Sequence, residues 1–233
     1  MQFIIQQQPI EVVIRKHPKS RSMVLRYQPI NHSLTLTLPR FVSIKQGLSF
    51  LEEKRGWIEQ QLGKKPPRIT LDEGLRLSVL GRPCVIEYRG GRGTAHITTC
   101  PQLDDGRLLV YGDRAFLARR VRDALVKCAR EEIVRLAKQH ASALGVAIRR
   151  VGLRDTHSHW GSCNQRGHLS FSWRLVLAPY EVLDYVVCHE VAHLVHLNHS
   201  PAFWRVVGSL CPDYELWRGW LKQHGNELYR FCA

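Results

Sequence analysis

No run of about 18 consecutive apolar residues occurs in the chain, so no membrane-spanning helix is expected. The opening segment MQFIIQQQPIEVVIRKHPKSR lacks an apolar core of suitable length behind a basic start, which argues against a secretory signal. The cysteines, at 84, 100, 128, 163, 188, 211 and 232, form no CxxC pair, and their odd number leaves at least one thiol unpaired. A reducing cytoplasm suits that pattern better than a disulfide scaffold. Internal repeats and low-complexity tracts are not evident. Negative charge is scarce: 20 acidic side chains face 34 basic ones, for a formal net charge of +14. Such a surface attracts phosphates, nucleic acid or acidic protein at long range and leaves the reaction type open.

What the chain does contain is concentrated in one stretch. Of its 12 histidines, 7 fall between His157 and His199. Residues 188–199 read CHEVAHLVHLNH, an HExxH motif with a further histidine six residues after the second. On a helix, His189 and His193 stand one turn apart on one face, about 6 Å along the axis, close enough to share one ion. Glu190 is placed beside them to hold and deprotonate a water on that ion. The pattern points to a zinc-dependent hydrolase.

Two residues compete for the third ligand position. His196 shares the helical stripe of His189 and His193 but lies about 10 Å along the axis from His189, too far for three short bonds from a straight helix. A chain that leaves the helix can bring His199 back. Long zinc-protease signatures place glycine where His196 stands, and histidine is disfavoured in the left-handed conformation such a bend uses. Asn198 tolerates that conformation, so the helix is expected to run about two residues longer and turn there. Ser200-Pro201 then reads as the N-cap and first residue of a new helix. His199 is the expected ligand, and His196 is assigned to packing or to supporting the ligands.

At 233 residues and 44% hydrophobic content the chain can bury a sizeable core. Alternating segments in 9–38 (IEVVIRKH, RSMVLRY, SLTLTLP) predict a β-meander with turns at 18–20 and 29–32. Ser43 is expected to cap a helix reaching Leu62, and Lys64-Lys65-Pro66-Pro67 reads as a linker. Strands in 76–110 follow, with Gly90-Gly91-Arg92-Gly93 as a hairpin turn, because no Lys-Ser/Thr and helix follow it as in a phosphate loop. One long helix is expected over 113–144, then strands at 146–153 and 168–173, the HExxH helix opened by Pro179, and helices at 201–210 and 213–224. The expected class is α+β: a β-rich region with one helix over 1–110, then a zincin-like core with a small sheet over 111–233.

The segments HEVAHLVHLNHSPAFW and RDTHSHWGSCNQRGHLSFSWRL, with SRSMVLRY and Trp57-Ile58-Glu59 earlier, resemble the YgjP-like metallopeptidase family, which is related to the WLM and SprT-type zincins. The SRSMVLRY segment, the Trp57-Ile58-Glu59 helix end, the WGSC loop, HExxH, the later histidine and S-x-x-FW occur in that order, so the resemblance covers nearly the whole chain. The resemblance implies zinc held by His189, His193 and His199, with Glu190 as general base and acid. One departure is His159, where relatives usually carry arginine before Trp160-Gly161-Ser162-Cys163; histidine loses its charge near neutrality, so specificity or pH dependence is open to change.

His159, Trp160, Gly161 and Ser162 are candidate substrate-binding residues. Gly161 allows close backbone approach, Ser162 offers a hydroxyl, and Trp160 can either floor a pocket or pack in the core. Cysteine catalysis by Cys163 is not needed where a metal supplies the nucleophile. The expected substrate is a peptide or protein. Alternative readings are a metal-dependent nucleotide phosphoanhydride hydrolase, prompted by Arg149, Arg150, Arg154 and Arg174, and a nucleic-acid-associated protease or binding module. Phosphoryl transfer favours oxygen-ligated magnesium, and a structural zinc favours four ligands, so both alternatives fit less well.

Overall fold

The structure is a computed structural model that describes residues 2–5, 8–28, 33–63, 68–99, 106–156 and 159–232. The chain forms two compact units, Met1–Pro67 and Arg68–Ala233. The boundary expected after residue 110 falls inside the second unit, because Leu77, Ile86, Leu108 and Val110 share one core with the later helices. The linker Lys64–Pro67 and the turn at 29–32 lie outside the described residues.

The first unit holds β1 (Gln2–Ile5), β2 (Gln8–Lys16), β3 (Val24–Gln28) and β4 (Ser33–Leu38), followed by α1 (Ile44–Glu53) and α2 (Arg55–Gly63). Its sheet order is β1-β2-β4-β3, with β2 and β4 parallel, so the expected meander is replaced by a crossover. Burial explains the choice. β4 carries Leu34, Leu36 and Leu38, all fully buried, and takes a central place, whereas β3 carries the exposed Arg26 and takes the edge. Ser43 caps α1 as expected: its Oγ accepts from Gln46 N at 3.2 Å while Gln46 Oε1 accepts from Ser43 N at 2.9 Å. The single helix expected to Leu62 is divided at Lys54.

The second unit opens with β5 (Ile69–Thr70) and a sheet of β6 (Arg76–Val79), β7 (Arg82–Tyr88), β8 (His96–Thr99) and β9 (Gly106–Val110) in the order β6-β7-β9-β8. β7 pairs with β9, so residues 90–93 belong to a crossover and the expected hairpin turn is corrected. This sheet repeats the first one strand for strand. The same shift in residue number carries the pair Glu11↔Ser33 to Val85↔Arg107. It also carries buried Phe3, Ile5, Ile10, Val12, Leu34 and Leu36 onto buried Leu77, Val79, Cys84, Ile86, Leu108 and Val110. Each sheet is followed by a side-chain N-cap, Ser43 or Asp113.

Asp113 caps a short turn at Arg114–Phe116 that leads into α3 (Leu117–Ala143). A three-stranded sheet of β10 (Arg150–Arg154), β11 (Gly161–Cys163) and β12 (His168–Ser172) follows in the order β10-β12-β11, leaving β11 at its edge. After a buried turn at Trp173–Leu177 come α4 (Tyr180–Ala192), α5 (Pro201–Leu210), α6 (Tyr214–His224) and β13 (Phe231–Cys232), which pairs with β5. No described helix is long and apolar enough to cross a membrane. The six described cysteines are free thiols.

Candidate metal centre and active site

Four of the 13 residues of α4 are valines, which are indifferent helix formers. Burial holds the helix instead: Val182, Val187 and Val191 are fully buried and Val186 nearly so. α3, α5, α6 and β11 pack around it. The helix ends at Ala192, with His193 as its C-cap, so the expected extension to Asn198 is not found. Asn198 is not left-handed either, since Leu80 is the sole described non-glycine residue with positive φ. The physical reason lies in His193 itself. Its Nδ1 donates to the His196 carbonyl at 3.0 Å, and this bond closes the chain into a turn without a left-handed residue.

That bond also fixes a tautomer: Nδ1 carries the proton, and Nε2 keeps its lone pair. The His199 ring returns to place its Nε2 3.0 Å from His189 Nε2. One ligand atom from each of His189, His193 and His199 lies within 4.8 Å of the others. Burial, followed by the neighbouring rings, holds the His189 pKa down to about 3, and burial also lowers that of His193. Imidazoles kept neutral in this way are the form that binds metal. The donor set therefore fits a divalent ion with affinity for nitrogen.

A side chain that sequence reasoning gave no role carries the three rings. Phe203 is fully buried and lies 4.9, 4.5 and 4.9 Å from the ring centroids of His189, His193 and His199. Ser200 sets it there by capping α5, its Oγ accepting from Phe203 N at 3.4 Å, with Pro201 next in the helix. The Ser-Pro cap was the available signal. Trp204 adds contacts to His189 and His199, and the side chain of His196 is half-buried outside the cluster.

Glu190 is buried, and burial raises its pKa to about 8. Its side chain rests on the backbone of Gly161. A methyl group at Gly161 would lie 2.5, 2.6 and 2.8 Å from Glu190 Cγ, Oε1 and Cδ, so β11 and α4 meet only because that residue has no side chain. Trp160 stacks on Tyr229 with centroids 4.8 Å apart. Ser162 is half-buried and registers with Ser170 of β12, while His159 is exposed and its carbonyl accepts from Thr156 Oγ1 at 2.9 Å. His157 lies outside the described residues.

Burial, followed by the Glu190 charge, pushes the Cys163 thiol up to about 11, which leaves little thiolate near neutrality. Arg174 is committed to structure: it bonds Asp155 at 2.8 Å and the carbonyls of Leu228 and Phe231 at 3.1 and 2.8 Å. A second donor group, His140, Asp184 and Cys188, lies between α3 and α4. There His140 Nε2 is 2.6 Å from Asp184 Oδ1, a hydrogen-bond distance that braces the two helices.

An HExxH helix, a third imidazole returned from the following turn and a sheet edge alongside make up a zincin-like core. Residues 21–224 match the YgjP-like, metallopeptidase domain. The chain belongs to the YgjP-like metallopeptidase family, and membership implies a divalent metal. Among solved structures, the metallopeptidase zymogen of Pyrococcus abyssi abylysin is similar over 39% of this chain and 93% of its own, at 22% identity and a TM-score of 0.34. No curated protein matches the chain.

Proposed function

We propose that this protein is a zinc peptidase in which His189, His193 and His199 hold the metal and Glu190 serves as general base and then general acid. The observation that carries the reading is the convergence of three imidazoles, with the Nε2 atoms of His189 and His199 3.0 Å apart, beside a buried carboxyl. Zinc, when bound, supplies a Lewis acid that acidifies water and polarises the scissile carbonyl. Glu190, with its pKa raised to about 8 in the metal-free fold, takes a proton from the attacking water and returns it to the leaving amine. Phe203 and the apolar body of α4 exclude bulk water from the far side of the rings. The edge of β11 offers main-chain groups to an extended peptide.

The nucleotide reading has less support, because Arg174 is engaged and the donors are nitrogens, whereas magnesium prefers oxygen. Purified without chelator or nickel affinity steps, the protein is expected to carry one zinc per chain by mass spectrometry. His189→Ala and His199→Ala should lose it, and His196→Ala should keep it. Retention of zinc by His199→Ala with loss in His196→Ala would exchange the two roles. Peptide cleavage should also survive iodoacetamide, since the Cys163 thiol is held up to about 11; stoichiometric inactivation on Cys163 modification would restore the cysteine as a nucleophile candidate.

A further inference from the structure

Beside His193, the turn that follows α4, the β11–β12 connection and the segment entering β10 enclose an open cleft of about 880 Å³. Its lining has one sign of charge. Arg149 and Arg166 supply it, and no aspartate or glutamate lines the cleft. Some arginines of this unit sit on acids, namely Arg89 and Arg107 on Glu87, Arg114 on Glu73, Arg135 on Glu132 and Arg174 on Asp155, whereas exposed Arg82, Arg92 and Arg150 form no ion pair among the described residues. The guanidinium groups of Arg149 and Arg166 are exposed and have no such partner among the described residues.

Their backbones, in contrast, are held. Arg149 N–H donates to the Gly167 carbonyl at 3.1 Å. The Asn164 side chain accepts from Arg166 N at 2.9 Å and from His168 N at 3.1 Å. On the rim formed by the turn after α4, Val195 and Leu197 are exposed apolar side chains. The cleft thus combines unneutralised cations on an anchored backbone with an apolar rim, and a candidate metal ligand, His193, is part of its lining.

We propose that this cleft is a substrate subsite for an acidic peptide segment, with substrate carboxylates paired to Arg149 and Arg166 and a neighbouring apolar side chain laid on Val195 and Leu197. The inference rests on the peptidase reading and adds a substrate class to it. Exposed ion pairs contribute modestly, so two of them correspond to about a 3- to 30-fold preference in kcat/KM. Salt should shrink that preference.

The test uses the full-length, zinc-loaded protein and a library of peptides whose cut sites are read by mass spectrometry, followed by matched peptides carrying Glu, Gln or Lys at the selected position. Asp and Glu should be enriched on one side of the cleaved bond, because His193 is the candidate ligand that lines the cleft. The Arg149→Glu/Arg166→Glu protein should invert the order of the Glu and Lys peptides, with the Gln peptide between them for both proteins. Equal cleavage of all three peptides by both proteins overturns the subsite and leaves the peptidase reading standing. Absence of cleavage of every peptide, with or without hydrolysis of nucleoside triphosphates, removes the peptidase reading and the subsite with it.

Discussion

Glu190→Gln should bind one zinc per chain and lose between about a hundredfold and ten-thousandfold in kcat, the range a positioned general base contributes. The amide matches the carboxyl in size and enters a buried position where burial already favours an uncharged group, as the raised pKa of about 8 records. Folding and metal content are therefore expected to be close to wild type, and the loss should fall on kcat with KM little changed. Metal analysis and peptide kinetics on the same preparation separate the two effects. Turnover equal to wild type would remove Glu190 from the mechanism, and loss of zinc would make it a structural residue.

Gly161→Ala should be nearly as damaging, although Gly161 is not expected to touch the metal. The added methyl would meet Glu190 Cγ, Oε1 and Cδ at 2.5 to 2.8 Å, closer than atoms can pack. β11 has little freedom to retreat, since Gly161 registers with Phe171 of β12 and the adjacent Trp160 carbonyl accepts from Ser172 N at 2.8 Å. The Glu190 side chain must yield instead. Displacement of a catalytic group by about 1 Å costs on the order of a hundredfold in rate, and overpacking costs about 1–3 kcal/mol of stability. The expected protein is folded, melts at a lower temperature, binds zinc and turns over about a hundredfold more slowly. Wild-type turnover from Gly161→Ala would show that the carboxyl tolerates displacement and that the close approach of β11 has no catalytic consequence.

The residues of the candidate site were legible because local spacing determines most of them. HExxH puts two imidazoles and a carboxylate on one turn, Ser200-Pro201 announces the next helix, and the pattern of α3 follows from side chains that recur at helical spacing. What could not be read depended on side-chain bonds and packing contacts that local spacing does not encode. α4 stops at Ala192 because the His193 ring finds the His196 carbonyl, a bond that no propensity encodes. The Gly161–Glu190 contact joins residues from separate elements, and only the assembled sheet edge shows why glycine is required there. Strand order failed for a related reason: alternation reveals that a segment is a strand but not which neighbour it takes. In both sheets the most apolar late strand displaced its predecessor from the centre.

The repeated sheet has a consequence for folding. Two four-stranded sets of one strand order, with a common register in three of their strands, give each central strand two compatible partners while the chain is still unstructured, the situation in which multidomain proteins exchange segments and become trapped. Across the aligned strands β1, β2 and β4, only Pro9 with Pro83, Arg15 with Arg89 and Leu34 with Leu108 are identical. That divergence makes each strand fit its own neighbours better than their counterparts. The dissimilarity that hides the duplication from the eye also protects the nascent chain from pairing with the wrong half of itself.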